Sequence, residues 1–472
     1  MDNNVFKRKI LNARNWILLV ITFLGKNEVS FANTCLKPQL ELLVTPPDAD
    51  LGNNIRIYWS FNRTYDGLWI GLYSDEPKQS SDEFLVANKI QVKELTGFET
   101  TGFFEVSDVK NMTYDQQTYL GYTAVAWTVV DGKDRAIVIT KLQTYPQWMN
   151  HYWEFIKNVP MTDLFIPGTH DTCSYKGDPP QESDAFAKKH WAILKSVPLL
   201  DNWSLTQNRE IKGQLVSGIR YLDIRVKRED DMYWSCHNSI PMHPLNQIIE
   251  QVVEFIVNTE KEIVVFDIHM LVSGIDSNEE KDAFVSYLKQ SFTFNNEQLY
   301  VPPSKVNQLW KATPELILAE GRVIISFIDP DYQKSNNMDI LWPMVFQYWG
   351  NKQYVNDLRD YIYATIPTRK ASENMLDTLT SVMAELTANL KRIAKDRKND
   401  LSAQSEQHSI EIHSWFMDPA VALQTNVLAV DFFTIYGVAR LAFIWNERKY
   451  YKSTCDSQQT IADDYYQKVI IP

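Results

Sequence analysis

The sequence has no excess of positive charge. Its 472 residues include 47 lysines and arginines against 59 aspartates and glutamates, which gives a formal net charge of -12. A protein that binds nucleic acid needs a basic surface to replace the counterions of the phosphate backbone, so nucleic acid is excluded as an expected partner. The same balance argues against a polybasic contact with anionic lipid, and a transient membrane contact has to use exposed apolar or aromatic side chains.

Long hydrophobic runs are missing after the N-terminus. A basic stretch there precedes a short apolar run at 16–25, and small residues at 30–32 offer a cleavage site. The run is too short to span a bilayer comfortably, so the arrangement favours a signal peptide over 1–32 rather than a signal anchor. We therefore expect a secreted protein. Three Asn-x-Ser/Thr triplets are candidate glycosylation sites in such a chain: Asn62, Asn111 and Asn202.

Cysteine is scarce. The chain contains Cys35, Cys173, Cys236 and Cys455, and all four follow the predicted signal peptide. An even number of cysteines in an exported chain favours two disulfides, with three possible pairings. The alternative is that these residues are unpaired thiols in the core.

The residues that follow the signal peptide favour an all-β domain over 36–147. Short runs rich in β-branched and aromatic residues alternate there with turn signals such as Thr45-Pro46-Pro47-Asp48. This spacing predicts a β-sandwich of the immunoglobulin-like kind, and Tyr58–Tyr73, which ends in WIGLY, resembles the opening of SKICH-type domains. No catalytic set of residues occurs here, so we predict an accessory module whose partner is unknown.

The pattern changes over 148–472. Short apolar runs with polar residues at their C-terminal ends alternate with stretches that have helical spacing, among them 244–258, 277–290 and 375–395. Buried parallel strands have near-continuous apolar sequences, and strand–helix alternation of this length predicts a distorted (β/α)8 TIM barrel. Functional side chains of such barrels lie at the C-terminal ends of the strands.

The polar residues at these strand ends suit phosphodiester chemistry. Two imidazoles can act as base and acid, an arginine can neutralise charge on a phosphate, and a buried carboxylate can orient the base. The candidate positions are His170 with Asp171, Asp223 with Arg225, His237, Asp267 with His269, and Asp431.

Three motifs resemble those of the phosphatidylinositol-specific phospholipase C X-domain family, nearest to its animal X-domain-only members. They are Ile166–Thr172 (IPGTHDT), Arg220–Arg225 and Cys236–Asn238, and Glu262–His269 and Val427–Asp431 resemble later strands. The resemblance implies a distorted TIM barrel. It also implies cleavage of phosphatidylinositol, or of a related glycolipid anchor, through a cyclic inositol phosphate.

The resemblance assigns a role to each candidate by motif. His170 becomes the general base and His237 the general acid. Asp431 is expected to hydrogen-bond His170, Asp223 to support His237, and Asp171 to lie beside the attacked phosphate. The four candidates for substrate binding are Asp267, His269, Tyr348 and Trp349. Tyr348 and Trp349 are aromatic rings that could stack on the sugar.

Arg225 indicates which branch of the family the site resembles. Calcium-dependent members have an acidic ligand at this place, whereas bacterial-type members have arginine. A Ca²⁺ ion needs several oxygen ligands, so an arginine among them argues against calcium. We therefore expect no metal and no other cofactor.

The resemblance also places two cysteines near the acid/base pair. Cys173 lies three residues after His170, and Cys236 immediately precedes His237. We predict a Cys173–Cys236 disulfide on this proximity, which leaves Cys35–Cys455 as the second pair.

Two other functions compete with a metal-independent phospholipase. A metal-dependent glycerophosphodiester or sphingomyelin phosphodiesterase needs carboxylates around the first histidine, and Asp171 and Asp223 could begin such a site. A secreted protein that binds lipid head groups without turnover is the third possibility.

Overall fold

The computed structural model describes residues 38–46, 53–78, 80, 84–87, 89–106, 113–176, 203–336, 339–369, 375–389, 393 and 400–451. The predicted signal peptide over 1–32 lies outside these residues, as do Cys35, Cys455, Asn111 and Asn202. In the described part of the chain, no helix has the length and hydropathy needed to span a membrane.

The first seven strands form two antiparallel sheets. Their bounds are β1 Gln39–Val44, β2 Asn53–Ser60, β3 Trp69–Tyr73, β4 Ile90–Gln91, β5 Thr96–Phe104, β6 Tyr119–Val130 and β7 Lys133–Gln143. One sheet has the order β1-β2-β5 and the other β4-β3-β6-β7. Buried side chains of both sheets, such as Ile57 and Leu72, share one apolar cluster. The finer assignment to an immunoglobulin-like or SKICH-like sandwich stays a prediction.

A curled parallel sheet forms the centre of the second part. The remaining strands are β8 Ile166–Thr169, β9 Tyr221–Glu229, β10 Met232–His237, β11 Ile240–Pro244, β12 Val264–Ser273, β13 Thr293–Phe294, β14 Glu297–Gln298, β15 Val323–Phe327, β16 Leu341–Trp342, β17 Phe346–Trp349, β18 Thr380–Met383 and β19 Val427–Val430. Eight of them run parallel in the order β16-β15-β12-β9-β8-β19-β18-β17, and β10 and β11 extend β9 as an antiparallel hairpin. The prediction of a mixed α/β fold around a parallel sheet is therefore confirmed. Among the described residues β16 and β17 do not pair, so the sheet is a curled half-barrel rather than a closed ring.

Helices connect the parallel strands. Their bounds are α1 Trp148–His151, α2 Trp153–Ile156, α3 Ile211–Val216, α4 Leu245–Val257, α5 Asn278–Ser291, α6 Pro314–Leu318, α7 Pro330–Asn336, α8 Val355–Thr365, α9 Leu401–Trp415, α10 Pro419–Ala422 and α11 Val438–Tyr451. Helices α4 and α5 match the predictions at 244–258 and 277–290. The Ser277 hydroxyl accepts from the Glu280 amide while the Glu280 carboxylate reaches back, a capping box that starts α5.

The helix predicted over 375–395 is wrong for the described residues 380–389. Strand β18 occupies Thr380–Met383, where all four residues are buried. A helix on a barrel surface buries one face only, whereas a strand between two parallel neighbours is covered on both sides. This correction matters because the residue two positions after β18 is Glu385.

The N-terminal sheets pack against helix α9. Arg56 of β2 forms an ion pair with Glu406 at 2.6 Å and donates to the hydroxyl of Ser409 at 3.0 Å. The rings of Tyr58 and His413 meet edge to face, with centroids 4.6 Å apart. These contacts join the accessory sheets to the outside of the α/β unit.

Candidate active site

The candidate site lies where neighbouring parallel strands end side by side. Val430 of β19 pairs with Thr169 of β8, and Thr169 pairs with Leu222 of β9. Extending this register by one residue puts Asp431 and His170 next to each other, at the level of Asp223. The shared register brings together residues that are far apart in the sequence, as the barrel prediction requires.

His170 is held at both ring nitrogens. Its Nδ1 lies 2.8 Å from Oδ1 of Asp431, and its Nε2 lies 3.0 Å from Nη2 of Arg225. The Gln207 amide donates to the carbonyl oxygens of His170 and Val430, which fixes the junction of β8 and β19. The ring orientation therefore directs Nε2 toward the guanidinium, as expected for a base that Asp431 orients.

Arg225 is bound by two buried carboxylates. Its Nε lies 2.6 Å from Oδ1 of Asp171, and its Nη2 lies 3.3 Å from Oδ2 of Asp223. Burial alone lowers the pKa of Arg225, but these two carboxylates outweigh burial and raise it above its usual value. Burial pushes the pKa of Asp223 upward, but the charge of Arg225, with smaller contributions from nearby histidines, lowers it to about 2.

His237 is at the end of the β10–β11 hairpin. Asn238, the next residue, has φ +53°, a left-handed conformation that asparagine tolerates in tight turns. The turn directs Nδ1 of His237 to the carbonyl oxygen of Ser204 at 2.6 Å, which leaves Nε2 facing Asp171 at 3.5 Å. The prediction that Asp223 supports His237 is therefore wrong. Asp223 binds Arg225 and the Asp171 amide instead.

Asp171 connects the two imidazoles. Its Oδ2 lies 3.6 Å from Nε2 of His170 and 3.5 Å from Nε2 of His237. The residue has φ +40°, and the hydroxyl of Thr206 holds this turn by donating to the Asp171 carbonyl at 2.8 Å. Because both Nε2 atoms contact one carboxylate oxygen, a single phosphate is within reach of both rings and of Arg225.

The Asp267–His269 pair extends the site along β12. Nδ1 of His269 lies 3.4 Å from Oδ2 of Asp267, which also accepts from the Tyr221 hydroxyl at 2.6 Å. Burial lowers the pKa of His269, but the nearby carboxylates of Asp267 and Asp223 together outweigh burial and raise it. This imidazole is close enough to lower the pKa of Asp223 and so belongs to the same cluster.

The two aromatic candidates on β17 face opposite sides of the sheet. Gln347 donates to the Tyr221 hydroxyl inside the barrel, and alternation puts Trp349 on the same side. Trp349 is 51% exposed and donates to the hydroxyl of Thr387 at 3.1 Å. Tyr348 is buried on the other side against Phe346, so its predicted contact with a sugar is wrong.

Sequence reasoning missed Glu385, a buried carboxylate in the same cluster. Burial raises the pKa of Glu385 to about 7, although the charge of the nearby His170 opposes the shift. The residue lies within 375–395, the stretch for which the sequence predicts a helix. Its position two residues after a strand of four buried residues, Thr380–Met383, was the signal that could have identified it.

Comparison with known proteins identifies the family of this chain. The family model described as PI-PLC X 1 matches residues 201–446. The chain belongs to the PI-PLC X domain family.

Relatives of the X domain include animal proteins. PI-PLC X domain-containing protein 1 of Danio rerio is 24% identical over 230 residues, which cover 46% of this chain and 70% of that protein. PI-PLC X domain-containing protein 2 of Homo sapiens is 27% identical over 258 residues, or 52% of this chain and 79% of that protein. A phosphatidylinositol-specific phospholipase C from Listeria monocytogenes has a TM-score of 0.44 and 18% identity, with 62% of this chain and 97% of that chain covered.

Three residues of the site have the geometry of a possible metal site. Ligand atoms of His170, Asp171 and Asp223 all lie within 4.8 Å of one another. Arg225 contacts both carboxylates at ion-pair distance. Its guanidinium already neutralises the oxygens that a divalent cation would need, so the donor set fits a cation poorly.

The predicted Cys173–Cys236 disulfide is not formed. Both residues are free, buried thiols. They are close enough to affect each other's ionisation, but no disulfide joins them. Burial raises the pKa of both thiols, that of Cys236 to about 12. Nearness in the fold is not enough for a disulfide, which also requires the two Cβ vectors to point toward each other.

The environment of His170 leads to a prediction about its protonation. Burial alone lowers the pKa of His170, but three carboxylates outweigh burial and raise it to about 10: Asp171, Asp431 and Glu385. Arg225 opposes protonation of His170, because Nε2 of His170 can accept a hydrogen bond from the guanidinium only while Nε2 carries no proton. In a pH titration followed by NMR of the imidazole nitrogens, we expect His170 to titrate well above the ordinary value of about 6.5.

The same titration contains its own reference. Burial lowers the pKa of His413 to about 4, so this histidine should stay neutral while His170 is still charged. Asp431→Asn removes one carboxylate and should lower the midpoint of His170. A midpoint at or below the ordinary value in the unmodified protein would contradict the prediction.

Because only the neutral ring of His170 accepts a proton, kcat/KM should rise with pH through the neutral range.

Proposed function

We propose that this chain is a phosphoric diester hydrolase that cleaves inositol phospholipids or glycolipid anchors without a metal ion. The proposal rests mainly on one observation: the Nε2 atoms of His170 and His237 both contact Oδ2 of Asp171, with Arg225 alongside. Membership in the PI-PLC X domain family supports a phosphodiesterase-like fold for this site.

The proposed reaction has two proton transfers, one from the substrate to His170 and one from His237 to the leaving group. His170 takes the proton of the inositol 2-hydroxyl, and the freed oxygen attacks phosphorus. A new phosphorus–oxygen bond closes the cyclic diester, and the bond to the glycerol oxygen breaks. His237 gives its proton to that leaving oxygen, which departs as diacylglycerol. Arg225 stabilises the charge on the phosphate oxygens during the transfer.

The decisive assay uses purified protein and phosphatidylinositol vesicles with excess chelator. We expect phosphorus-31 NMR to show a cyclic inositol phosphate, with the same initial rate in chelator and in added Ca²⁺ or Mg²⁺. The physical reason is that the guanidinium of Arg225 supplies the positive charge that a cation would supply.

Two other outcomes correspond to the competing functions. Activity only with a divalent cation would favour a metal-dependent phosphodiesterase built on His170, Asp171 and Asp223, the three residues with suitable geometry. Binding of inositol lipid vesicles without any product would favour a non-catalytic head-group-binding protein. Sphingomyelin and glycerophosphodiester substrates in parallel reactions identify the substrate class.

The cellular setting is part of the proposal. We infer a secreted protein from residues 1–32 and from the acceptor triplets, of which Asn62 is half-buried after β2. Its contact with the membrane is proposed to be transient and to use exposed aromatic side chains, because the net charge is -12.

A further inference from the structure

Glu385 stands beside the proposed base without a structural role of its own. Met383 of β18 pairs with Ala429 of β19, and the Ala384 amide donates to the Ala429 carbonyl at 2.9 Å. Continuing this register places Glu385 next to Asp431, on the inner side of the sheet. Three adjacent parallel strands therefore end in Glu385, Asp431 and His170.

One oxygen of this carboxylate has no hydrogen-bond donor. Glu385 is 4% exposed, and no group in the described part of the chain donates to its Oε2. The other oxygen accepts only a long hydrogen bond, 3.4 Å, from the hydroxyl of Thr387. A buried carboxylate oxygen without a donor is costly, so such groups generally have a purpose that the free protein does not satisfy.

Orienting the base is not that purpose. Nδ1 of His170 is taken by Asp431 and Nε2 faces Arg225, so neither ring nitrogen is left for Glu385. The guanidinium of Arg225 is likewise bound to Asp171 and Asp223. Glu385 affects these groups through its charge but hydrogen-bonds none of them.

The surroundings of Glu385 fit a polyhydroxylated ring. Thr387 accepts from the indole nitrogen of Trp349, which links the exposed aromatic face to the carboxylate through one hydroxyl. An exposed aromatic face suits the apolar side of a sugar-like ring, and a carboxylate oxygen accepts from its hydroxyls. The proposed base His170 follows β8, two strands from β18 in the sheet order, where it would meet the attacking hydroxyl of the same ring.

We propose that Glu385 determines head-group specificity by accepting a hydrogen bond from a substrate hydroxyl other than the attacking one. This inference rests on the proposed phosphodiesterase function and names the feature of the substrate that the site recognises. The ligand class is a cyclic polyol phosphodiester, and Trp349 covers one face of the ring. A substrate with the nucleophilic hydroxyl alone leaves Oε2 of Glu385 without a donor.

The test compares two aryl phosphodiesters with the same leaving group. One is the ester of myo-inositol, and the other is the ester of cis-1,2-cyclohexanediol, which has the nucleophile but no further hydroxyl. We expect Glu385→Gln to lower the ratio of their kcat/KM values by about 10- to 100-fold, the loss expected for a hydrogen bond to a charged group. Glu385→Leu should abolish the preference for inositol.

Matched controls separate specificity from folding and from basicity. Glu297→Gln makes the same change at an exposed position in the β13–β14 hairpin and should leave the ratio unchanged. Each rate is measured at that variant's own pH optimum, because the charge of Glu385 also raises the pKa of His170. Thermal unfolding should show no loss of stability in Glu385→Gln, since the side chain it replaces lacks a close partner.

Equilibrium binding of myo-inositol keeps the inference testable without turnover. Wild type should bind myo-inositol more tightly than cyclohexanediol, and Glu385→Gln should remove that difference. If wild type cleaves neither ester but shows this pattern, the proposed reaction fails and the role of Glu385 stands. An unchanged kcat/KM ratio in Glu385→Gln, or wild-type protein without preference for myo-inositol, would overturn the role of Glu385.

Discussion

Replacing either His170 or His237 by alanine is expected to lower kcat on phosphatidylinositol by about 10³- to 10⁴-fold. Each ring supplies one of the two proton transfers, and no other described imidazole contacts Asp171. The His170→Ala/His237→Ala double variant should be hardly slower than either single variant, because the two transfers occur in one step. Release of cyclic inositol phosphate measures all three rates.

The controls for this prediction come from the same chain. His151→Ala removes an exposed imidazole at the end of α1 and should keep full activity. Both site rings lie at the rim of the sheet, so thermal unfolding should show a folded protein in each variant. If either single variant stays within about tenfold of the wild-type rate, proton transfer by this pair is wrong.

The sequence was sufficient to predict which strand ends meet. Buried parallel strands have apolar sequences such as 263–266, and only a few polar residues follow their ends. Any curled parallel sheet brings those ends to one side, so the cluster around His170 followed from the pattern and the motif together. The same pattern predicts that Arg225 and Asp431 belong to this cluster.

The parts that could not be predicted depend on side-chain direction and on neighbours. Thr380–Met383 is a strand because β17 and β19 cover it on both sides, a fact that local spacing does not contain. Glu385 was missed for that reason. Tyr348 and Trp349 are adjacent in sequence, and only the pleat decides which of them faces the site.

The roles of the acidic residues were also beyond the sequence. Asp171 has a left-handed backbone conformation, which turns its carboxylate between the two imidazoles. Asp223 instead contacts Arg225 and accepts from the Asp171 amide. A motif gives the positions of both aspartates but not this division between them.

Arg225→Ala is expected to reduce kcat by about 10²- to 10³-fold and also to destabilise the fold. The rate falls because the guanidinium no longer stabilises the charge that develops on the phosphate oxygens. Stability falls by about 3–5 kcal/mol, since the carboxylates of Asp171 and Asp223 are left buried without their cation. Arg225→Lys keeps the charge but cannot contact both carboxylates with a planar fork, so its kcat should lie between those of Arg225→Ala and wild type.

The stability loss in Arg225→Ala should depend on pH in a defined direction. Arg225 lowers the pKa of Asp223 in the folded protein to about 2, below its ordinary value of about 3.9 in an unfolded chain. A depressed carboxyl pKa contributes stability that is complete above the unfolded value and disappears as pH falls through the folded value. The difference between wild type and Arg225→Ala in free energy of unfolding should therefore be largest above about pH 4 and shrink toward pH 2.

Arg228→Ala is the matched control on the same strand. Arg228 pairs with the exposed Asp231 at 2.8 Å near the surface end of β9. A surface pair of this kind contributes about 0–1 kcal/mol. Its removal should therefore change the free energy of unfolding only slightly and leave the rate unchanged. Denaturant unfolding at several pH values compares the two variants directly. If Arg225→Ala is no less stable than Arg228→Ala at neutral pH, or if its rate stays near that of wild type, the guanidinium does not have the role proposed for it.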